Sequence, residues 1–401
     1  MSASPSTSLS PQCAVIDPPG GIAGTSLAYH LARTTSTLTH THTRPLRVTL
    51  LDSSAMGAGA TGLSAGTFWS AGHARNLSHT RLFDTVSEVE ALSAELYQQL
   101  QATGFECGVV QCGNLTLARN ERERAYLVEE HAYLHSMGYN ALMLCNGEAV
   151  TQVEPALVGG NSVAALWTLQ SGYVDPMLAC RSFAEAAMSM NSVSNDDDGA
   201  VAVSLVENEE VVALDCNKRE EVEVEGNDDS KNSCHCIPRI EVHTSSGNIF
   251  HARHVVVAAG DNCAALLRPL GLDVPIVPVK GTMVMFPRGT CNQQKGTQQD
   301  LKHTIYLSES ALQWKELYSS DVEANGGTTP HSNLQPKYCS FDQEKQQVIT
   351  RHCYGRPTPD GDAVFGGTRI PMMARGRSTC TDDLQVCSFP VFLSLLCLRF
   401  S

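Results

Sequence analysis

Residues 14–28 read Ala14-Val15-Ile16-Asp17-Pro18-Pro19-Gly20-Gly21-Ile22-Ala23-Gly24-Thr25-Ser26-Leu27-Ala28. Cys13 to Ile16 is a short apolar run ending at turn residues, which predicts a strand. Beyond the turn, Ala23, Leu27 and Leu31 recur every four residues with Ala28 and Ala32 beside them. That is a helix with one small-residue face suited to close packing on a sheet. Arg47 to Leu51 predicts the next strand, closed by Asp52. Glycine in the turn lets a phosphate approach the backbone, and the helix start offers unpaired N–H groups and a positive dipole end. A carboxylate ending the following strand can accept hydrogen bonds from an adenosine ribose. Together they predict a dinucleotide site. Pro19 stands where the first glycine of G-x-G-x-x-G would be, and only Gly21 and Gly24 keep their places. Proline has a fixed φ and no N–H, so on the turn alone an ordinary strand-to-helix connection is an equal reading.

The remaining composition narrows the function classes. With 401 residues, 42% hydrophobic and 17% charged, the chain reads as an ordinary globular protein of two domains. The net charge of −14 argues against a nucleic-acid partner, because phosphate binding needs clustered Lys and Arg. Residues 1–12 are Ser/Pro-rich, without Lys, Arg or an apolar stretch. They predict a disordered start and a cytoplasmic address, a mitochondrial one being the alternative. The longest apolar run near the end, Phe389 to Leu398, is far short of the roughly 20 residues a spanning helix needs, so no membrane segment is expected. The 15 cysteines are scattered and odd in number, which favours free thiols. Cys234-His235-Cys236 lacks a second ligand pair at zinc spacing, and no metal is expected. His40 and His42 lie in a Thr/His-rich stretch, Thr34 to Pro45, read as an exposed loop.

Further along, Phe83, Val86, Val89, Leu92, Leu96 and Leu100 follow a helical period ended by Gly104. Helices are also predicted over about 121–137 and 176–190, the latter opened by Asp175 as cap with Pro176 in the first turn. Strands are expected at 200–206, 210–214, 237–243 and 254–259, the last apolar enough to be buried on both faces. Residues 217–233 and 289–347 read as loop insertions.

After Asp52 comes Gly57-Ala58-Gly59-Ala60-Thr61-Gly62-Leu63-Ser64-Ala65-Gly66. A nicotinamide-binding unit does not need this run, whereas a flavin's pyrophosphate and ring require such small residues for close passage. Here the sequence resembles the D-amino-acid oxidase superfamily, in particular its glycine oxidase and its sarcosine and dimethylglycine dehydrogenase branches. The resemblance continues through Val153-Glu154-Pro155, Gly172-Tyr173-Val174-Asp175-Pro176, Val255-Val256-Val257-Ala258-Ala259-Gly260-Asp261, Val277-Pro278-Val279-Lys280-Gly281, Tyr354-Gly355-Arg356-Pro357-Thr358-Pro359-Asp360-Gly361 and Phe365-Gly366-Gly367.

The resemblance implies an α/β fold with a Rossmann-like FAD domain of the glutathione-reductase type, residues 13–80 and 150–265. An interleaved α+β substrate domain would take 81–149 and 266–371, and a divergent tail 372–401. It implies that Gly20, Gly21, Ile22, Ala23 and Gly24 cradle the pyrophosphate, and that Asp52 and Ser53 hold the ribose. Gly59, Ala60, Thr61, Ala65 and Gly66 would line the flavin. Val211 would meet the adenine through its backbone, and Ala258, Ala259 and Gly260 would lie beside the cofactor. Leu63 stands where the dehydrogenases carry a flavin-linking His, so the FAD is expected to be noncovalent.

In such enzymes a hydride passes from the α-carbon of a small amine or amino acid to the flavin, and no side-chain base is obligatory. His352-Cys353-Tyr354 resembles the stretch that sets a tyrosine over the substrate, which makes Tyr354 the substrate-side candidate and Tyr306 a second one. The plain alternative for each is a packed surface tyrosine. An amino-acid substrate calls for an arginine on its carboxylate. In the family that arginine lies past the point where this chain stops matching. Arg356 and Arg369 are the candidates to replace it, each otherwise a surface charge. The last flavin-contacting segment of the family is expected to be missing, as in a truncated protein. Two functions therefore stand side by side: an FAD-dependent oxidoreductase acting on a CH–NH bond, and a non-catalytic flavoprotein-like protein with weak or no FAD binding. A nicotinamide dehydrogenase explains neither the run after Asp52 nor the Tyr354–Gly361 stretch.

Overall fold

The computed structural model describes residues 13–16, 21–37, 46–69, 82–158, 160–191, 201–223, 234–274, 276, 279–288, 300–309, 340–342 and 347–371. The strands are β1 (Cys13–Ile16), β2 (Leu46–Leu51), β3 (Thr67–Phe68), β4 (Asn114–Ala118), β5 (Ala141–Leu144), β6 (Ala164–Thr168), β7 (Gly172–Tyr173), β8 (Val201–Val206), β9 (Val211–Glu223), β10 (Cys234–Thr244), β11 (Ile249–Ala252), β12 (His254–Val257), β13 (Val279–Phe286), β14 (Thr304–Leu307), β15 (Ser340–Asp342), β16 (Gln347–Pro357) and β17 (Ala363–Pro371). The helices are α1 (Ile22–Thr37), α2 (Leu82–Ala102), α3 (Glu121–Ser136), α4 (Gly147–Val153), α5 (Pro176–Ser189) and α6 (Cys263–Leu267). The chain divides into two compact units: Met1–Ser64, Leu100–Gly108 and Asp175–Ile276 in the first, Ala65–Gln99, Val109–Val174 and Val277–Ser401 in the second.

The first unit is built on a parallel sheet ordered β12-β1-β2-β8. From β1 the chain runs to β2 on one side, while β12 pairs on the other. The strand order thus reverses at β1, the point where ligands bind open α/β sheets. The buried face of α1 is Gly24, Thr25, Ala28, Tyr29 and Ala32; of the face expected to pack on the sheet, Ala28 and Ala32 are buried, Leu27 and Leu31 half-buried and Ala23 exposed. Small side chains at every fourth position allow the closest approach, and Tyr29 meets Phe183 of α5 edge-on, 5.5 Å between ring centroids. α5 opens as expected. The Asp175 carboxylate accepts from Met177 N and Leu178 N at 2.9 and 3.0 Å.

Beside this sheet lies an antiparallel ribbon, β11-β10-β9. β9 and β10 run well into the stretch expected as an acidic loop, pairing Glu223 with Cys234. Ladder hydrogen bonds are backbone bonds and do not require apolar side chains. β12, expected to be buried on both faces, pairs among the described residues with β1 alone and is half-buried, with His254 exposed.

The second unit carries a mixed sheet ordered β13-β17-β16-β14-β4-β6-β5, with β15 on β16. β14 lies inside the segment read as a loop insertion, yet all four of its residues are buried and it bridges β4 and β16. Residues 150–174 pack in this unit as well, through the pairing of β6 with β4 and β5. One face of the sheet buries Leu115, Leu117, Ala165, Ile305 and Leu307 against Val150 of α4. On the other, α3 packs Tyr126, Leu127 and Leu134 on Ala118, Ala164 and Leu166. α2 forms where its period placed it, but Val89 and Leu92 are exposed while Ala94 and Leu100 are buried.

Residues 1–12, Pro18, Pro19, Gly20, His40, His42 and the tail 372–401 lie outside the described residues.

Candidate functional site

At the carboxyl ends of β1 and β2 the first unit gathers most of the residues singled out in the sequence. α1 has no acidic residue in its first turn, so that turn itself does not neutralise the positive end of a 16-residue helix. Ile22 N donates to Thr61 Oγ1 at 3.3 Å, which sets the helix start against the turn after β2. Thr25 is fully buried and its hydroxyl donates to the Gly21 carbonyl at 3.0 Å, fixing the turn from inside.

Asp52 follows β2 and is fully buried. Its N–H donates to the Val206 carbonyl at 2.9 Å, its carbonyl accepts from Glu209 N at 2.7 Å, and its Oδ1 accepts from Ser54 N at 3.0 Å. Hydrogen bonds from Ser246, Thr244 and Asn248 hold the Glu209 carboxyl below the usual carboxylate range. They thereby fix the segment that carries the chain from β8 to Val211.

The glycine run forms a tight turn. A Cβ on Gly62 would stand 1.9 Å from the Gly57 carbonyl oxygen, and Gly57 itself has φ +77°. Neither position accepts another residue without moving backbone. Gly59 is half-buried and Ala60 exposed in this turn. Val211 and Ala259 share one core cluster with Leu51. Their side chains point into packing, which leaves their backbone as the part able to meet a ligand. Ala258 is half-buried, and Gly260 turns the chain at φ +53°. A helix start, a buried carboxylate and a cradle that only glycine fits are what an adenine dinucleotide requires, and the residues present fit one.

Ala65 and Gly66 belong to the second unit. Gly66 has φ +64°, its carbonyl accepts from Val174 N at 2.9 Å, and the next residue pairs with Tyr173 in the β3–β7 ribbon. Both candidate tyrosines lie in this unit and are direct cross-strand partners. Met283, Gly366, Tyr354, Tyr306 and Thr116 form one row across β13, β17, β16, β14 and β4. Lateral neighbours in a sheet share a face. Trp69 meets the Tyr306 ring edge-on at 5.3 Å, and the Tyr354 hydroxyl donates to Met283 Sδ at 3.6 Å. Burial pushes the neighbouring Cys353 thiol up to about 11, so at neutral pH it is not a thiolate nucleophile.

Arg356, read as a surface charge, is buried. Its sequence neighbours gave no hint of that, since the residues it touches, Ala65 and Tyr173, are remote in the chain. Trp69 carried no sequence signal either. Nothing is described of the Arg369 side chain. Among the described residues no cluster of His, Cys, Asp and Glu is placed to hold a metal ion, and no helix is long and apolar enough to cross a membrane.

Residues 20–313 match the family described as DAO, FAD dependent oxidoreductase. Glycine oxidase of Geobacillus kaustophilus is 26% identical over 267 residues, 66% of this chain and 59% of that protein, so the chain spans well under two thirds of that relative's length. Among solved structures, glycine oxidase from Bacillus cereus superposes with a TM-score of 0.60 at 19% identity, over 94% of this chain and 75% of that one. L-alpha-glycerophosphate oxidase from Mycoplasma pneumoniae, solved with FAD bound, superposes with a TM-score of 0.58 at 16% identity, over 92% and 73%. These likenesses show the α/β fold expected from the sequence. The match covers more than half of the chain, and the protein therefore belongs to the DAO family of FAD-dependent oxidoreductases.

Proposed function

We propose that this protein holds FAD noncovalently and oxidises the CH–NH bond of a small amine or amino acid. The observation that carries the reading is the fully buried Asp52 at the end of β2, tied by its backbone to Val206 of β8 and to Glu209 just before β9. An acid closing the strand that follows a glycine turn and helix is the residue type that accepts hydrogen bonds from the ribose hydroxyls of an adenosine. Residues Gly21 and Gly24 and the α1 start would take the pyrophosphate, Gly59 to Thr61 with Ala65 and Gly66 the flavin, and Ala258 to Gly260 the edge beside it.

FAD, when bound, supplies the hydride acceptor. The chain supplies orientation and a shielded surface. Tyr354 and Tyr306 would orient the substrate amine through their hydroxyls. The Trp69 and Met283 side chains beside them are apolar and would limit water near the reacting carbon. Leu63, exposed at 75% in the glycine turn, offers no atom for a covalent link to the flavin.

The test is anaerobic mixing of FAD-loaded protein with glycine, sarcosine and a set of D-amino acids. Bleaching of the flavin by one of them is the expected result. Stable FAD binding without reduction by any of them would replace the enzymatic reading with that of a non-catalytic flavoprotein.

A further inference from the structure

Arg356 is a long cation that is only 8% exposed. An arginine in such a place needs its donors satisfied, and its contacts show what the position is for. Nε donates to the carbonyl of Ala65, Nη1 donates to the carbonyl of Pro357 at 3.1 Å, and the guanidinium lies 4.6 Å over the ring of Tyr173. Ala65 is followed by Gly66, whose own carbonyl is held from the other side by Val174 N at 2.9 Å. The two-residue segment is thus gripped by β16 at one carbonyl and by the chain just after β7 at the next. It also contains a left-handed backbone at Gly66, φ +64°, the kind of turn that is defined only when its surroundings fix it.

From this geometry we propose that Arg356 is a positioning residue for the cofactor: it sets the Ala65–Gly66 backbone at which the flavin binds. The inference rests on the FAD reading above. Arginine suits the task because one planar group can stack on Tyr173 while its edge donates to a carbonyl; lysine can donate but has no plane to stack.

The experiment compares wild-type protein with Arg356→Met, Arg356→Lys and, as a control, Arg268→Met, which changes an exposed arginine. Each apoprotein is titrated with FAD, and the visible circular dichroism of the bound flavin is recorded at saturation. Wild type and Arg268→Met should share one Kd and one flavin spectrum. Arg356→Met should weaken FAD by about tenfold or more, the loss expected for a buried charge-assisted hydrogen bond, and should alter the flavin spectrum. Arg356→Lys should fall between the two. A purely structural arginine would lower the melting temperature and leave the flavin spectrum alone, and that result overturns the proposal. If Arg356→Met does not fold, Arg356→Lys decides: wild-type Kd and spectrum in that variant also overturn it. Wild-type protein that takes up no FAD would fail the underlying reading first and this inference with it, an outcome told apart by the unmutated protein alone.

Discussion

Tyr306 on β14 and Tyr354 on β16 stand opposite one another in an antiparallel ladder, so both side chains leave the sheet on the same face. Residues far apart in the sequence thereby form one surface, with Trp69 against the first and Met283 against the second. If that surface orients the substrate, Tyr354→Phe keeps the ring and removes only the hydroxyl. The expected result is a fall in kcat/KM of about tenfold, the scale of one lost orienting hydrogen bond, with FAD content unchanged. Tyr306→Phe should have the smaller effect.

Gly366 makes room for Tyr354. A Cβ there would lie 2.3 Å from Met283 Sδ and 2.8 Å from Tyr354 Cζ. Gly366→Ala should displace the tyrosine and cost about 1–3 kcal/mol by overpacking. Urea unfolding reads the cost, and the rate of flavin reduction reads the displacement. An unchanged rate would show that Tyr354 need not stand where it does.

Glu154 is fully buried and its Oε2 accepts from Lys302 N, His303 N and His303 Nδ1 at 2.9, 3.0 and 2.9 Å. It anchors the segment that leads into β14. Glu154→Ala leaves buried donors without their acceptor and should destabilise the protein by about 3 kcal/mol. Glu154→Gln, which retains an acceptor oxygen, should lose less in the same melt.

Burial pushes the Glu90 carboxyl up to about 7 from an ordinary value of 4.5. The folded state then holds this proton more tightly than the unfolded chain does. Its contribution to stability is full below the unfolded value and is lost as the pH rises from there towards about 7. Glu90→Gln, which stays neutral, should raise the melting temperature at about pH 8 and leave it nearly unchanged at about pH 4. Equal gains at both pH values would mean that the effect is not ionic.

The parts legible in the sequence were those encoded locally. β1, α1 and β2 with Asp52 at the end follow from apolar runs, a glycine turn and one acid, all within about 40 residues, a single strand-turn-helix-strand unit. The cap on α5 was legible for the same reason. Packing was harder to read. Of the small-residue face expected for α1, Ala28 and Ala32 are buried together with Gly24, whereas Leu27 and Leu31 are half-buried and Ala23 is exposed, because close contact with the sheet selects size rather than hydrophobicity alone. β14 has four residues amid polar sequence and takes its burial from β4 and β16, neither adjacent to it in sequence. Arg356 looks like a surface charge in the sequence because charged residues are rarely buried unpartnered; the carbonyl of Ala65 and the ring of Tyr173 that explain its burial are remote in the chain.

The most direct test of the account is an FAD titration of wild-type protein beside Asp52→Ala. The account predicts saturable binding by the wild type, about one FAD per chain, and a Kd weakened by about tenfold or more once the ribose-holding carboxylate is gone. Wild-type protein that remains colourless after FAD is added, or an Asp52→Ala variant that binds FAD as tightly as the wild type, would contradict it.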